Sequence, residues 1–293
     1  MQIKKQYFVL GVFLVAMIFS VLFSVFRKEH EDLDKTERRL RYTLAIKNTS
    51  RDLIKYSAVK IFSPLNLTSS QRVKKITSTH DYTLIADDIG NQILSYKITV
   101  PPYGTKIIDI DVLLEVGSIA LDANDSANPL YLANGPYINL DNPKIINLAK
   151  KLSGGSTDNI ASKVVQWIQA NIKNENYIKE DKGAAFALEN LRGDCTEYSY
   201  LFTALLRKNG IAARVIGGFK VKSDTLLKSH NYHNWAEYYN GNSWITVDPQ
   251  AGTIGEDVDS YIAFRIIVDA ELTLMSSSHR FMAFDNRLKV TLK

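Results

Sequence analysis

The 293-residue sequence predicts an α+β fold in three parts: an N-terminal transmembrane helix, a small β-sandwich, and a domain of helices and strands. Three observations support this prediction. A long uncharged stretch comes first, apolar residues then alternate with polar residues at a period of two, and helical periodicity begins after residue 140. These changes place the three parts at residues 1–28, 37–118 and 140–293.

The composition is that of an ordinary globular protein. Hydrophobic residues make up 45% of the chain, and the formal net charge of +5 is too small to indicate nucleic-acid binding. The sequence also contains no basic run interleaved with aromatic residues. We therefore expect a protein or peptide partner rather than a nucleic acid.

The first part contains twenty residues without a formal charge, Tyr7 to Phe26, with basic residues on both sides. This length crosses a bilayer core as one helix. A cleaved signal peptide is the alternative, but its apolar region is normally about 7–15 residues long and ends in a small-x-small site. Leu22, two positions before Ser24, is unsuited to such a site. We expect an uncleaved single-pass anchor in the cell membrane, with the rest of the chain on the extracytoplasmic (periplasmic) side.

Half-buried strands are predicted where apolar residues occupy every second position. They do so at Leu40–Ile46, Leu94–Val100 and Ile108–Leu114, and turn-forming residues follow the first two stretches. Such strands over about 80 residues are typical of an antiparallel sandwich of immunoglobulin-like type. No cluster of His, Asp, Glu or Ser in this region indicates chemistry, so we expect the sandwich to act as a spacer or to bind a protein partner.

Helical signals begin near residue 141. Asp141 or Asn142 can cap a helix that starts at Pro143, and a second helix carries an apolar face from Ile160 to Ile172. A short segment from Ala184 to Asn190 then leads into a loop at position 193. These elements predict a helical layer ahead of the only cysteine.

That cysteine, Cys195, lies in the first turn of a further predicted helix. Apolar residues from Tyr198 to Leu206 fall on one helical face, and Asn209-Gly210 ends the helix. Backbone N–H groups without partners and the positive end of the helix dipole favour a thiolate there, which is the form that attacks carbonyl carbons. A free cysteine is also a common core residue, so its position alone leaves both interpretations open.

A predicted hairpin brings a histidine and a carboxylate together. His233 begins one strand and Asp248 ends the next, with the turn at Asn240-Gly241 between them. The two residues are equally far from the turn, so we expect them to meet at the open end of the hairpin. A carboxylate there fixes the imidazole tautomer while the other ring nitrogen faces a thiol. Cys195, His233 and Asp248 are therefore the candidate catalytic residues.

Each residue also has a simpler interpretation. A histidine at a strand start is often only a polar end residue, an Asp before proline often only forms a turn, and His230 is an alternative base. Two histidines with one cysteine are a weak zinc pattern, and no carboxylates have calcium-loop spacing. We expect no metal and no cofactor, and the joint occurrence of the three groups favours catalysis.

Four stretches of sequence resemble the transglutaminase-like superfamily: Gly193–Glu197, Ala204–Arg214, His233–Glu237 and Trp244–Pro249. The resemblance covers about residues 143–264 and implies a papain-like α+β core, in which a cysteine-bearing helix packs on an antiparallel sheet that carries His and Asp. It assigns Cys195 as nucleophile, His233 as base and Asp248 as the orienting carboxylate.

The sequence departs from this family at Asn234, where a small residue is commoner. A second donor to the oxyanion is not fixed by the sequence: the backbone N–H of Cys195 is one donor, and Tyr177 or Trp167 can supply or position another only if the fold brings them near.

The predicted function is a membrane-anchored cysteine hydrolase that cleaves peptide, isopeptide or other amide bonds through a thioester acyl-enzyme. Alternatives are a cross-linking acyltransferase (a transglutaminase) and a scaffold without catalysis. Transfer to an amine requires a channel shielded from water, which Trp235 and Trp244 can wall unless they pack in the core. Because no other residue indicates an acceptor site, the sequence favours hydrolysis.

Overall fold

The computed structural model describes residues 35–119, 128–178, 180–268, 275 and 280–293. The predicted transmembrane helix, residues 1–28, lies outside these ranges. Within them, no helix is long and apolar enough to cross a membrane. The predicted α+β class is confirmed by the elements that these residues form.

The described residues form four α-helices, α1 (Pro143–Leu152), α2 (Thr157–Asn171), α3 (Gly183–Asn190) and α4 (Cys195–Lys208). Asn142 and Ser156 cap α1 and α2 by accepting hydrogen bonds from backbone N–H groups of the first turn. The strands are β1 (Thr36–Asn48), β2 (Ile54–Ser63), β3 (Gln71–Ser78), β4 (Thr83–Ala86), β5 (Gln92–Val100), β6 (Thr105–Val116), β7 (Lys173–Asn174), β8 (Arg192–Gly193), β9 (Ala213–Lys220), β10 (Thr225–Leu226), β11 (Tyr232–Tyr239), β12 (Trp244–Asp248), β13 (Thr253–Ile254), β14 (Tyr261–Ile267), β15 (Phe281–Ala283) and β16 (Leu288–Leu292).

The first six strands form two sheets around one hydrophobic core. One sheet contains the order β1-β6-β3 and the other β2-β5-β4. Leu40 and Leu44 of β1 and Tyr96 of β5 are fully buried in this core, as the period-two pattern predicts. The immunoglobulin-like topology of this sandwich remains a prediction.

The C-terminal strands return to the sandwich. β15 pairs antiparallel with β2, β16 pairs antiparallel with β1, and the short strand β10 pairs parallel with β1. Residues 37–293 accordingly form one compact unit. The boundaries 37–118 and 140–293 remain a prediction.

A separate sheet, of five strands in the order β13-β12-β11-β9-β14, carries the helices. Helix α4 packs against β11 and β9 and is covered by α1, α2 and α3. Every residue from Thr196 to Arg207 is buried. The apolar periodicity predicted one buried face, whereas the covering helices bury the polar face of α4 as well.

Two amide side chains of the sandwich cover the outer edge of β14. Gln71 accepts a hydrogen bond from Ala263 N at 2.7 Å and donates to Ala263 O at 2.9 Å. Asn91 accepts from Ile266 N at 2.6 Å and donates to Ile266 O at 3.1 Å. Because β14 ends its sheet, these backbone groups lack a strand partner on that side. The two amides thus replace a neighbouring strand and attach the sandwich to the sheet.

Candidate active site

Cys195 is the first residue of α4, as the sequence predicts, and its side chain is partly exposed. Asp194 caps the helix, because its Oδ1 accepts a hydrogen bond from Thr196 N at 2.8 Å. Glu197 completes a capping box by accepting from Asp194 N at 3.2 Å. A Cβ at position 193 would overlap the Cβ of Glu197, so the glycine lets the chain approach this closely.

The same two carboxylates bind the segment that precedes the cysteine loop. Ile178 N donates to Asp194 Oδ2 at 2.8 Å, and Lys182 N donates to Glu197 Oε1 at 2.8 Å. Burial of Glu197 and the nearby charge of Asp194 outweigh these backbone hydrogen bonds and raise the pKa of Glu197 to about 7. Sequence reasoning noted Glu197 only as part of a motif. Its spacing of three residues from Asp194 is the signal that identifies the capping box.

His233 lies on β11 opposite Gly218 of β9, beyond the residues of β11 that pair with β12. Its Nε2 is 2.8 Å from Oδ2 of Asp248, the last residue of β12. The sequence placed the two residues directly opposite each other. In the structure the β11–β12 pairing ends at Ala236 and Val247, and the side chains meet diagonally instead.

The ring of His233 also bonds the thiol of Cys195. Burial lowers the pKa of His233, but hydrogen bonds to Asp248 and Cys195 and the charges of both groups outweigh burial and raise the pKa to about 9. Because Nε2 is on the carboxylate, Nδ1 is the ring nitrogen that remains for a second partner. The structure therefore brings together the three candidate residues, whose catalytic roles remain predictions.

Asp248 has a complete set of partners around its buried carboxylate. Its Oδ1 accepts from Gln250 N at 3.2 Å and Ala251 N at 3.0 Å, and its Oδ2 accepts from Tyr261 Oη at 2.9 Å. Burial raises the pKa of Asp248, but His233 and these hydrogen bonds outweigh it and lower the pKa to about 2. The carboxylate thus stays ionised across the physiological range.

Lys220 and Tyr261 extend this group, and sequence reasoning missed both. Lys220 Nζ lies 2.5 Å from Tyr261 Oη and 3.5 Å from Asp248 Oδ2. They lie on β9 and β14, far from His233 and Asp248 in the sequence, so no local spacing indicated them.

Asn234, the departure from the family pattern, connects the two halves of the site. Its Nδ2 donates to Thr196 Oγ1 at 2.9 Å, and both side chains are buried. Asn234 follows His233 and Thr196 follows Cys195 in the chain. A hydrogen bond between these neighbours therefore joins the strand of His233 to the helix of Cys195 and constrains the separation of the two side chains.

His233 and Asp248 open into a cleft of about 510 Å³. Its other lining residues are Asn174, Lys220, His230, Asn231, Tyr232, Gln250 and Ala251. His230 is exposed in a short 3₁₀ turn at Ser229–Asn231, and the described hydrogen bonds do not connect it to Asp248. This geometry favours His233 over His230 as the base.

The aromatic residues that the sequence suggests for a channel or an oxyanion site differ in burial, and the ring of Trp235 stacks near that of His233, with 6.4 Å between the centroids. Trp235 and Trp244 are 1% and 4% exposed and pack in one hydrophobic cluster, which fits core packing rather than a channel wall. Trp167 packs against the helical core, and the Tyr177 side chain is 76% exposed. In the described residues, no group of three metal-ligating side chains forms a metal site.

Comparisons with known proteins find a matching family model and similar folds. The family model of the transglutaminase-like superfamily matches residues 146–249. The solved structure of a protein from Cytophaga hutchinsonii described as a candidate cysteine protease matches with a TM-score of 0.55 and 17% identity, over 88% of this chain and 92% of that chain. At this identity the match shows a common fold.

A further match is the periplasmic domain of TgpA from Pseudomonas aeruginosa, with a TM-score of 0.39, 14% identity, and coverage of 72% of this chain and 88% of that chain. The comparison with curated proteins found no match. The family match includes Cys195, His233 and Asp248, and the segment 146–249 of this chain is therefore similar in sequence to the transglutaminase-like superfamily.

Proposed function

We propose that this protein is an extracytoplasmic, membrane-anchored cysteine hydrolase that cleaves peptide, isopeptide or other amide bonds. One observation supports the proposal: His233 Nε2 lies 2.8 Å from Oδ2 of the buried Asp248 carboxylate, and the Cys195 thiol interacts with the same imidazole ring. A nucleophile, a base and a group that orients the base are the elements of thiol acyl transfer.

The roles follow from this geometry. His233 holds the proton of Cys195, and the thiolate attacks the amide carbonyl carbon to form a C–S bond. Imidazolium then gives its proton to the leaving nitrogen as the C–N bond breaks, which leaves a thioester on Cys195. Water, deprotonated by His233, hydrolyses the thioester to a free acid and restores the thiol. Asp248 keeps Nε2 protonated throughout, so that Nδ1 faces the sulfur.

The backbone N–H of Cys195, at the start of α4, is the oxyanion donor in this proposal. The open cleft beside His233 supports hydrolysis rather than transfer to an amine, because water reaches such a site easily. The burial of both hairpin tryptophans also supports hydrolysis, because buried side chains are poorly placed to wall a shielded acceptor channel.

Trapping the acyl-enzyme tests the proposal directly. Full-length protein is mixed with activated acyl esters and peptide amides, quenched in acid and analysed by intact mass. We expect an acyl adduct on the single cysteine that decays to free acid and is absent in Cys195→Ala. When a primary amine is added at millimolar concentration, free acid should remain the main product. An amine adduct as the sole product would contradict hydrolysis and favour the transglutaminase alternative.

The anchor forms a separate part of the proposal and rests on the uncharged stretch Tyr7–Phe26. Full-length protein should remain with membranes after a carbonate wash, whereas a chain that starts near Glu29 should be soluble. Protease added outside an opened outer envelope should digest the bulk of the chain. Recovery of soluble protein with a new N-terminus near Arg27 would mean that the segment is cleaved.

A further inference from the structure

Lys220 gives the cleft a positive charge that the proposed reaction does not use. Apart from its histidines, the lining of the cleft contains two charged side chains, Lys220 and Asp248. The Asp248 side chain is 2% exposed, whereas that of Lys220 is 35% exposed. The accessible charge in this cleft is thus an ammonium group, and the amides of Asn174, Asn231 and Gln250 provide the neighbouring polar surface.

The ammonium group is held in place beside the reaction centre. Tyr261 Oη accepts from Lys220 Nζ at 2.5 Å, Asp248 Oδ2 lies 3.5 Å from Nζ, and the centroid of the Tyr261 ring lies 4.4 Å from it. An ammonium has three N–H donors, so these two oxygens leave one donor for a bound molecule. A fixed cation loses little side-chain entropy when it binds an anion.

Charge balance makes this lysine decisive for anionic substrates. When the thiol proton is on His233, the Cys195, His233 and Asp248 side chains together carry one negative charge, which repels anions. Lys220 neutralises that charge. Charges at such short separations in a partly buried site interact strongly enough to change rates several-fold.

We propose that Lys220 makes this cleft selective for substrates with a carboxylate group next to the reacting amide. The carboxylate belongs either to an acidic side chain or to a free chain terminus. This inference rests on the proposed function, because it names the substrate class of the same site.

Alkylation of the single cysteine by two reagents of different charge tests the inference without a known substrate. Iodoacetamide is neutral and iodoacetate is anionic, and both transfer an alkyl group to the Cys195 sulfur with loss of iodide. We expect Lys220→Met to lower the iodoacetate-to-iodoacetamide rate ratio by about 3- to 10-fold. Lys220→Arg should retain the ratio. Lys222→Met is the matched control, because Lys222 is exposed and lies 3.6 Å from Asp257, outside the cleft lining.

Peptide amides then distinguish the two sources of the carboxylate. One pair differs only in Glu against Gln beside the reacting amide, and a second pair differs only in a free against an amidated C-terminus. We expect one pair to show faster acylation of the anionic member in wild-type protein and loss of that advantage in Lys220→Met. An unchanged alkylation ratio, or no preference in either pair, would overturn the inference. Slow alkylation by iodoacetamide in wild-type protein would instead contradict the proposed function.

Discussion

Buried polar side chains occur both in the sandwich and at the candidate active site, but their partners differ. In the sandwich, Asn48 donates to Val100 O at 3.2 Å, and Gln71 and Asn91 bind the backbone of β14. At the site, side chains also bind one another: His233 binds Asp248, and Asn234 binds Thr196.

The two kinds of contact therefore have different roles: those in the sandwich stabilise the fold, and those at the site set the reactivity of the thiol. An amide that binds backbone groups does not change its charge and holds one geometry at any pH. An imidazole between a thiol and a carboxylate can gain or lose a proton and move it between partners. Substitutions in the first set should therefore lower stability, while substitutions in the second should lower reactivity.

The largest effect is expected for His233. His233→Ala removes the group that accepts the thiol proton, so the alkylation rate of Cys195 by iodoacetamide at neutral pH should fall by at least about 100-fold. The rate is measured by intact mass on the full-length protein. His230→Ala is the matched control, since His230 lines the same cleft, and it should change the rate less than about 2-fold. Loss of reactivity in His230→Ala with His233→Ala unaffected would refute the assignment.

A substitution at Gln71 tests the expectation that the sandwich amides contribute to stability. Gln71→Leu leaves Ala263 N and Leu65 O without their side-chain partners in a buried junction, which costs about 1–3 kcal/mol for each group. We expect the free energy of unfolding in urea to fall by at least about 2 kcal/mol. Gln166→Leu, on the exposed face of α2, should leave it nearly unchanged.

The alkylation rate of the folded Gln71→Leu protein should equal that of wild type, because Gln71 does not contact the site residues. A large fall in this rate without a loss of stability would show that the junction positions the site. The expectation that the sandwich amides affect stability and not reactivity would then be wrong.

The sequence predicted the parts of the fold that depend on local pattern. Asn142, one of the two cap candidates of the first helix, is the residue that caps it, and strands β1, β5, β6 and β11 follow from apolar alternation or a hairpin turn. Cys195, His233 and Asp248 were found because helix starts and hairpin ends have local signals. Two strands joined by one turn are neighbours by chain connectivity, so the proximity of His233 and Asp248 can be predicted without knowledge of long-range contacts.

Contacts between distant segments were not predictable in the same way. Gln71 lies 192 positions from Ala263, and Lys220 lies 41 positions from Tyr261. A single sequence carries no periodicity that relates such residues. The C-terminal strands β15 and β16 were missed for a related reason, because they are short and gain their stability by pairing with β2 and β1.

Asn234→Ala should lower the reactivity of Cys195 by a moderate amount. Asn234→Ala removes the hydrogen bond to Thr196, and the neighbouring thiol and imidazole then lose one constraint on their separation. We expect a fall of about 10-fold in the iodoacetamide rate, which corresponds to about 1.4 kcal/mol. Thr196→Val removes the same bond from the other side. The double variant should lose no more than either single variant, and additive losses would show that the two residues act separately.

The smallest effect is expected for Glu197, and it concerns the free energy of unfolding. Glu197 shares features with both sets of residues, because it titrates like the site residues and binds backbone N–H groups like the sandwich amides. Its pKa rises from 4.5 to about 7 in the folded protein, so the native state holds this proton more tightly than the unfolded state. The stability linked to it is fully present below about pH 4.5 and is lost as the pH rises to about 7. His233, with a pKa raised from 6.5 to about 9, loses its contribution in the next window, as the pH rises through about 9.

Wild-type stability should therefore decline in two successive steps, measured as the free energy of unfolding in urea from pH 4.5 to 9.5. Glu197→Gln should flatten the first step, because the amide cannot ionise, and leave the second step in place. His233→Ala should flatten only the second step. Glu189→Gln is the control, since Glu189 is exposed on α3 and should leave both steps unchanged. If the first step persists in Glu197→Gln, another group holds that proton, and Glu197 belongs with the sandwich amides as a purely structural residue.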